Sequence, residues 1–235
     1  MLSGLQKMTL LDYPGKVACT VFTQGCNFRC PFCHNSNLLE GQGEDALSQE
    51  ALLEFLKKRV NLLDGVCITG GEPTLHPELE NLLTEIKALG YLIKLDTNGN
   101  RPAVLKDLVE KGLVDYVAMD LKNSPARYGE TAGVPNMTLK NIEESIRFLL
   151  SGKVAYEFRT TVVDELHEVA DIEAIGAWLE KLDSDRKAEN YFIQPYVDRE
   201  SVLVSGFHTP PKEKLLQMAE KAAPYVKNVN IRGMD

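Results

Sequence analysis

Hydrophobic positions in this 235-residue chain gather in six short runs rich in β-branched and apolar residues: Val17–Phe22, Val66–Thr69, Leu92–Thr97, Tyr116–Leu121, Tyr156–Val163 and Tyr191–Tyr196. Between the runs the apolar spacing changes to that of one helix face, as in Leu52, Leu53, Leu56 and Val60, and then Leu79, Leu82, Leu83, Ile86 and Leu89. Strand and helix therefore alternate along the chain. Pro77 and Pro102 suit the first turns of helices, and Gly90 follows Leu89 as a helix stop. Thr209 before Pro210 reads as the N-cap of a last helix from about Pro211 to Tyr225, with Val229–Arg232 a candidate short final strand.

Such alternation predicts a parallel sheet with helical crossovers, either doubly wound or barrel-like. Six units are fewer than the eight of a closed barrel. The expected architecture is a partial, open-sided (βα)6 TIM-like barrel with outer helices, formed by residues 1–235 as one domain, since no linker, repeat or low-complexity run divides the sequence.

In this class of fold, ligands collect at the carboxyl ends of the strands. The first strand is followed by a cysteine-rich loop, the second by Gly70-Gly71-Glu72-Pro73, and the third ends in Asp96-Thr97-Asn98-Gly99. The fourth ends in Asp120-Leu121-Lys122, the fifth carries Arg159 and Thr161, and the sixth ends Gln194-Pro195-Tyr196. Singly, an Asn-Gly is a turn and a strand-end Asp a helix cap. Gathered at one mouth, carboxylates, a lysine and an arginine complement a zwitterionic ligand.

Composition narrows the picture. With 44% hydrophobic and 26% charged residues the chain is an ordinary globular protein, and its net charge of −8 argues against a general nucleic-acid or anionic-membrane binder. No run approaches the roughly 18 apolar residues of a membrane span, and Asp12 and Pro14 interrupt any signal-peptide pattern. The expected location is the cytoplasm, where thiols stay reduced and clustered cysteines serve as metal ligands or redox groups rather than disulfides.

Cys26, Cys30 and Cys33 form a C-x3-C-x2-C loop, suited to thiolates converging on one inorganic centre. Structural zinc sites and electron-transfer clusters normally use four protein ligands. Three leave one position open to an exogenous group.

Four other readings compete. Cys30-Pro31-Phe32-Cys33-His34 matches the c-type haem attachment pattern, which belongs to exported proteins. A glutaredoxin-type dithiol at Cys30 and Cys33 leaves Cys26 without a role. A zinc site of three cysteines and His34 requires neighbouring Cys33 and His34 on one tetrahedral centre. An electron-transfer cluster needs a fourth ligand, such as Cys19 or Cys67, which lie inside apolar strands where thiols are commonly buried and inert.

The cysteine spacing, with aromatic Phe32 just before the last cysteine, resembles the signature of the radical S-adenosylmethionine enzymes, and Gly70-Gly71-Glu72-Pro73 resembles their methionine-binding motif. Cys33-His34-Asn35, Asp96-Thr97-Asn98-Gly99 and Met119-Asp120-Leu121-Lys122 resemble the activating enzymes of glycyl-radical proteins. Leu11-Asp12-Tyr13-Pro14-Gly15-Lys16 and Thr23-Gln24-Gly25-Cys26 are most similar to the activases of anaerobic ribonucleoside-triphosphate reductases.

The resemblance implies that Cys26, Cys30 and Cys33 hold three irons of a [4Fe–4S] cluster, with S-adenosylmethionine chelating the fourth. It implies that Phe32, Asn35, Gly70, Gly71, Glu72 and Asn98 line the cofactor, with Glu72 and the two glycines receiving the methionyl amino group. Asp96, Asp120 and Lys122 would contact the cofactor or a monovalent cation, and Arg159 its carboxylate or ribose. Reductive cleavage would give a 5′-deoxyadenosyl radical that takes a Cα hydrogen from a glycine of a partner enzyme, with flavodoxin or ferredoxin as electron donor.

Two departures stand out. Val197 follows Pro195-Tyr196 where related activases place a histidine, leaving Gln194 as the substitute, and no second cysteine-rich insertion is present. The remaining rivals are a small-molecule radical enzyme of the 7-carboxy-7-deazaguanine synthase type, an activase of the pyruvate formate-lyase type, and a zinc or electron-transfer module.

Overall fold

In the computed structural model, residues 2–39, 47–198 and 201–233 are described. They form one sheet of eight strands in sequence order, with helices between them and β1 and β8 at the two edges. The strands are β1 (Leu2–Thr9), β2 (Ala18–Thr23), β3 (Gly65–Gly70), β4 (Leu92–Thr97), β5 (Tyr116–Asp120), β6 (Ala155–Val162), β7 (Ala188–Pro195) and β8 (Val226–Ile231). The six expected runs become β2 to β7, each within a few residues of its predicted bounds. β8 begins at Val226, ahead of the expected Val229.

Residues cluster into two compact units. The first holds Met1–Asn27, Asn37–Thr97 and Arg101–Ala118. In it β2, β3 and β4 pair in parallel, Thr23 opposite Gly70 and Gly65 opposite Leu92. Val66, Cys67 and Ile68 are fully buried, as a strand covered on both faces must be. The helices α1 (Gln49–Lys57), α2 (Leu79–Ala88) and α3 (Pro102–Glu110) bury one face each: Leu52 and Leu56 in α1, Leu79, Leu82, Leu83 and Ile86 in α2, and Leu105, Leu108 and Val109 in α3.

β1 has no counterpart in the predicted elements. It pairs antiparallel with β2 and buries Leu2 and Ser3 while Met8 stays 64% exposed. Leu2, Leu5 and Met8 recur at neither strand nor clean helix period, so its conformation comes from pairing with an edge rather than from its own pattern.

The second unit holds Phe28–Ser36, Asn98–Asn100 and Met119–Asp235. In it β6, β7 and β8 pair in parallel, and Gln194 stands opposite Thr161. Its helices are the short α4 (Tyr128–Thr131), α5 (Lys140–Leu150), α6 (Val169–Leu182) and α7 (Lys212–Ala222). α6 begins with a reciprocal capping box between Glu168 and Asp171.

Two boundary expectations change. Pro77 lies before the N-cap Glu78 rather than in the first turn of α2. Thr209 does not cap α7, whose N-cap is Pro211; its hydroxyl instead donates to the Tyr196 carbonyl at 2.5 Å. A strand-end carbonyl within reach engages the hydroxyl before any helix amide can.

Candidate active site

In the first unit, the chain leaving β2 toward Cys26 sits directly on the chain leaving β3. The Gly71 amide donates to Thr23 O at 2.9 Å and the Glu72 amide to Gly25 O at 2.8 Å, while Gly25 donates to Leu38 O at 2.7 Å. His76 Nε2 adds a bond to Gln24 O at 2.7 Å.

A Cβ on Gly71 would lie 1.9 Å from Gly25 O, and one on Gly70, whose φ is +114°, 2.3 Å from Thr23 N. Backbone contact alone therefore requires both glycines.

Glu72 is only 1% exposed and caps the short 3-10 turn Pro73–Leu75. Its Oε1 accepts from the Thr74 amide at 3.2 Å, the Thr74 hydroxyl at 2.5 Å and the Thr97 hydroxyl at 2.7 Å. Three donors converging on one oxygen fix the orientation of the carboxylate.

Asp96 at the end of β4 is paired with Lys94, whose side chain is 1% exposed; Thr69 Oγ1 donates to its other oxygen at 3.1 Å. The Cys67 thiol lies 3.8 Å from Asp96 Oδ1 and 3.9 Å from Lys94 Nζ. Cys67 thus borders a buried ion pair, a setting that its apolar strand did not suggest. Cys19 fits the apolar reading better, because burial pushes its thiol up to about 12.

In the second unit, Asn98 is buried and its Oδ1 accepts from the Asn100 amide at 3.0 Å, while Ser145 donates to Gly99 O at 2.7 Å. The Asn-Gly is a turn braced by α5. Asp120 carries two cations, Arg159 Nε on Oδ1 at 2.9 Å and Lys122 Nζ on Oδ2 at 3.0 Å. Burial alone would raise the Asp120 pKa, but Arg159 and Lys122 outweigh it and hold the carboxyl well below its usual range.

For Lys122, burial favours the neutral amine, yet Asp120 and then Cys30 keep the ammonium's proton well above the ordinary lysine range.

The cysteine loop in this unit turns back on itself through Cys33 N to Cys30 O at 3.1 Å, and Arg29 N bonds Ala132 O at 2.9 Å. A Cβ on Gly133 would meet Arg29 O at 2.2 Å, so this later glycine is a seat for the loop. Cys30 and Phe32 are buried, and Cys33 and Asn35 partly exposed. Phe32 meets His167 edge-on at 6.1 Å, and His167 bonds Lys122 O at 2.8 Å. Burial depresses the His167 pKa and keeps the imidazole neutral.

His76, Lys94, Gly133 and His167 were not among the residues singled out from sequence, and Thr97 entered only as a member of the Asp96-Thr97-Asn98-Gly99 motif. Only Lys94 had a visible signal, a charge within an otherwise apolar run. Among the described residues no group of three His, Cys, Asp or Glu side chains is gathered as tightly as a single metal ion requires. Among them too, no helix is long and apolar enough to cross a membrane.

The chain is 30% identical to a Methanocaldococcus jannaschii protein named as a glycyl-radical enzyme activating enzyme, over 99% of this chain and 95% of that one. It is 28% identical to the pyruvate formate-lyase-activating enzyme of Staphylococcus epidermidis, over 83% of this chain and 80% of the relative. Its fold matches that of Streptococcus suis SuiB bound to S-adenosylmethionine, with a TM-score of 0.68 and 15% identity, over 89% of this chain and 48% of SuiB. Residues 20–170, a stretch running through both units, match the Radical SAM superfamily. The chain is an α/β enzyme of the partial-barrel class and belongs to the radical SAM superfamily.

Proposed function

We propose that this enzyme is a glycyl-radical activase, and that its partner is an anaerobic ribonucleoside-triphosphate reductase. The observation that carries the activase reading is likeness along nearly the whole length to a protein named for that activity. The narrower choice of partner rests on the residue 11–16 and 23–26 motifs.

The residues fit the cofactors the family implies. Cys26, Cys30 and Cys33 would hold a [4Fe–4S] cluster, with the Lys122 ammonium within electrostatic reach of Cys30. When bound, the cluster and S-adenosylmethionine supply one-electron reductive cleavage and the hydrogen-abstracting power that follows from it.

The protein's own residues bind and orient. Arg159 and Lys122, gathered around Asp120, match the charge of the cofactor's carboxylate. Glu72, with Oε1 engaged by Thr74 and Thr97, acts chiefly as a support, capping the turn that follows Gly70-Gly71, whose carbonyls can receive an ammonium. Phe32, Asn35, Asn98 and Gln194 complete the candidate lining.

A monovalent cation has little left to neutralise. Asp96 already carries Lys94, and Asp120 carries Lys122 and Arg159. We infer that these side chains stand in its place. The same reading puts the enzyme in the cytoplasm, with flavodoxin or ferredoxin as reductant.

Anaerobic reconstitution with iron and sulfide, followed by dithionite and S-adenosylmethionine, is expected to yield 5′-deoxyadenosine and methionine. With the reductase added, electron paramagnetic resonance should show a glycyl radical. A fully reduced sample that leaves S-adenosylmethionine intact defeats the reading. Cleavage without a glycyl radical on the reductase defeats only the choice of partner.

A further inference from the structure

In the second unit, the segment after β7 returns across the cysteine loop. Val204 N donates to Pro31 O at 2.9 Å. His34 Nε2 donates to Val197 O at 2.7 Å, and the His34 ring stacks on Tyr196 with centroids 5.2 Å apart and planes 20° from parallel. Ser201 and Ser36 bond in both directions across the gap: Ser201 Oγ donates to His34 O at 2.6 Å and Ser36 Oγ to Ser201 O at 2.5 Å.

Both ends of the segment are tied to the sheet side of the unit. Tyr196 N donates to Val162 O at 2.9 Å, and Tyr196 O accepts from Thr209. At the far end Asp164 N donates to His208 O at 3.0 Å and His208 N to Glu165 Oε2 at 3.0 Å.

We propose that residues 196–198 and 201–209 form a strap that clamps the cysteine loop from Pro31 to Ser36, with Tyr196, Ser201 and His34 as positioning residues for Cys33. This rests on the cluster reading only for its consequence, since the clamp itself is made by contacts within the unit. Physically the strap is well suited to the task. The bond from Cys33 N to Cys30 O closes a single turn, and the chain beyond that turn samples many conformations unless other segments supply bonds to it.

A cluster ligated by three thiolates tolerates little drift in any of them. Fixing Cys33 would therefore slow iron loss and preserve the ligand-exchangeable position. The motif Cys33-His34-Asn35 thereby gains a role for its histidine within the protein: its ring and its carbonyl are both strap contacts.

Hydrogen exchange measured by mass spectrometry on the full chain, without cluster, tests the clamp directly. Ser201→Ala removes one donor and is expected to speed exchange of amides in residues 31–36 by roughly tenfold. Tyr196→Ala, which removes the stack, should act on the same peptide. Ser201→Thr, which keeps the hydroxyl, should restore slow exchange, an outcome that general destabilisation does not produce.

In reconstituted protein the same order should appear in the rate at which a ferrous chelator removes iron under anaerobic conditions. The cofactor-induced change in the reduced cluster's paramagnetic resonance signal should be kept in Ser201→Thr and broadened in Ser201→Ala. Unchanged exchange of residues 31–36 in both Ser201→Ala and Tyr196→Ala overturns the strap. If the chain takes up no cluster at all, the cluster reading fails while the exchange result still decides the clamp.

Discussion

The two flanks of the cysteine loop are held by different chemistry. Ahead of Cys26, Gly25 is fixed by backbone on backbone, with Gly71 and Glu72 as its seat and no side chain able to fit between. After Cys30 the loop is held largely by side chains and loop carbonyls that come from more than 160 positions later. The first arrangement tolerates no added atom, and the second tolerates substitution in proportion to the bonds removed. A backbone seat is close to all-or-none; a side-chain clamp is graded.

The backbone seat is most vulnerable at Gly71. Gly71→Val places its side chain inside the Gly25 carbonyl and is expected to abolish cluster uptake and S-adenosylmethionine cleavage, read as loss of absorbance at about 400 nm and of 5′-deoxyadenosine. A normal cluster in this variant would mean that the two strand ends are not in contact.

Cys26→Ala should likewise remove the cluster, whereas Cys67→Ala should keep it. Cys67 borders the Lys94 and Asp96 pair through long contacts, so its loss is expected to cost about 1 kcal/mol in thermal or chemical melts. Loss of iron from Cys67→Ala would make that residue a ligand and end the three-thiolate assignment.

Glu72→Ala is intermediate. It strands buried hydroxyls and an amide that now share one carboxylate oxygen, which should destabilise the protein by about 3 kcal/mol and weaken S-adenosylmethionine binding while leaving the cysteines competent to take iron. Equilibrium binding and melts should move together. A binding loss with unchanged stability would make Glu72 a direct ligand instead of a support.

The mildest effect concerns pH. The folded-state pKa of Asp120 is depressed, so its contribution to stability is fully present above the ordinary aspartate value of about 4 and is lost only as pH falls below it. The stability gap between wild type and Asp120→Asn should therefore be level from about pH 9 to about pH 5 and shrink in stronger acid. A gap that closes near neutrality would show that the Arg159 and Lys122 pairing is not intact in solution.

Much of the fold was readable because it is local. β3 holds a short apolar run bounded by glycines, β4 a run that is apolar apart from Lys94 and Asp96, and Gly90 at φ +89° ends α2 as a glycine stop should. The failures share a cause. β1 owes its conformation to a neighbour, and Thr209 has a tertiary acceptor that outcompetes helix capping. At the site, Asp96, Asp120, Lys122 and Arg159 were visible as charges at strand ends and Lys94 as a charge inside its run, but their pairing was not.

Residues adjacent in the chain dictated the alternation of strands and helices, the spacing of Cys26, Cys30 and Cys33, and the glycines after β3, which is why each could be read without coordinates. Long-range packing settled the rest: that Gly70 and Gly71 yield to another stretch of backbone, that Glu72 is held by Thr74 and Thr97, and that Ser201 and Tyr196 reach the cysteine loop. Those outcomes depend on contacts between distant segments, whose partners no local pattern encodes.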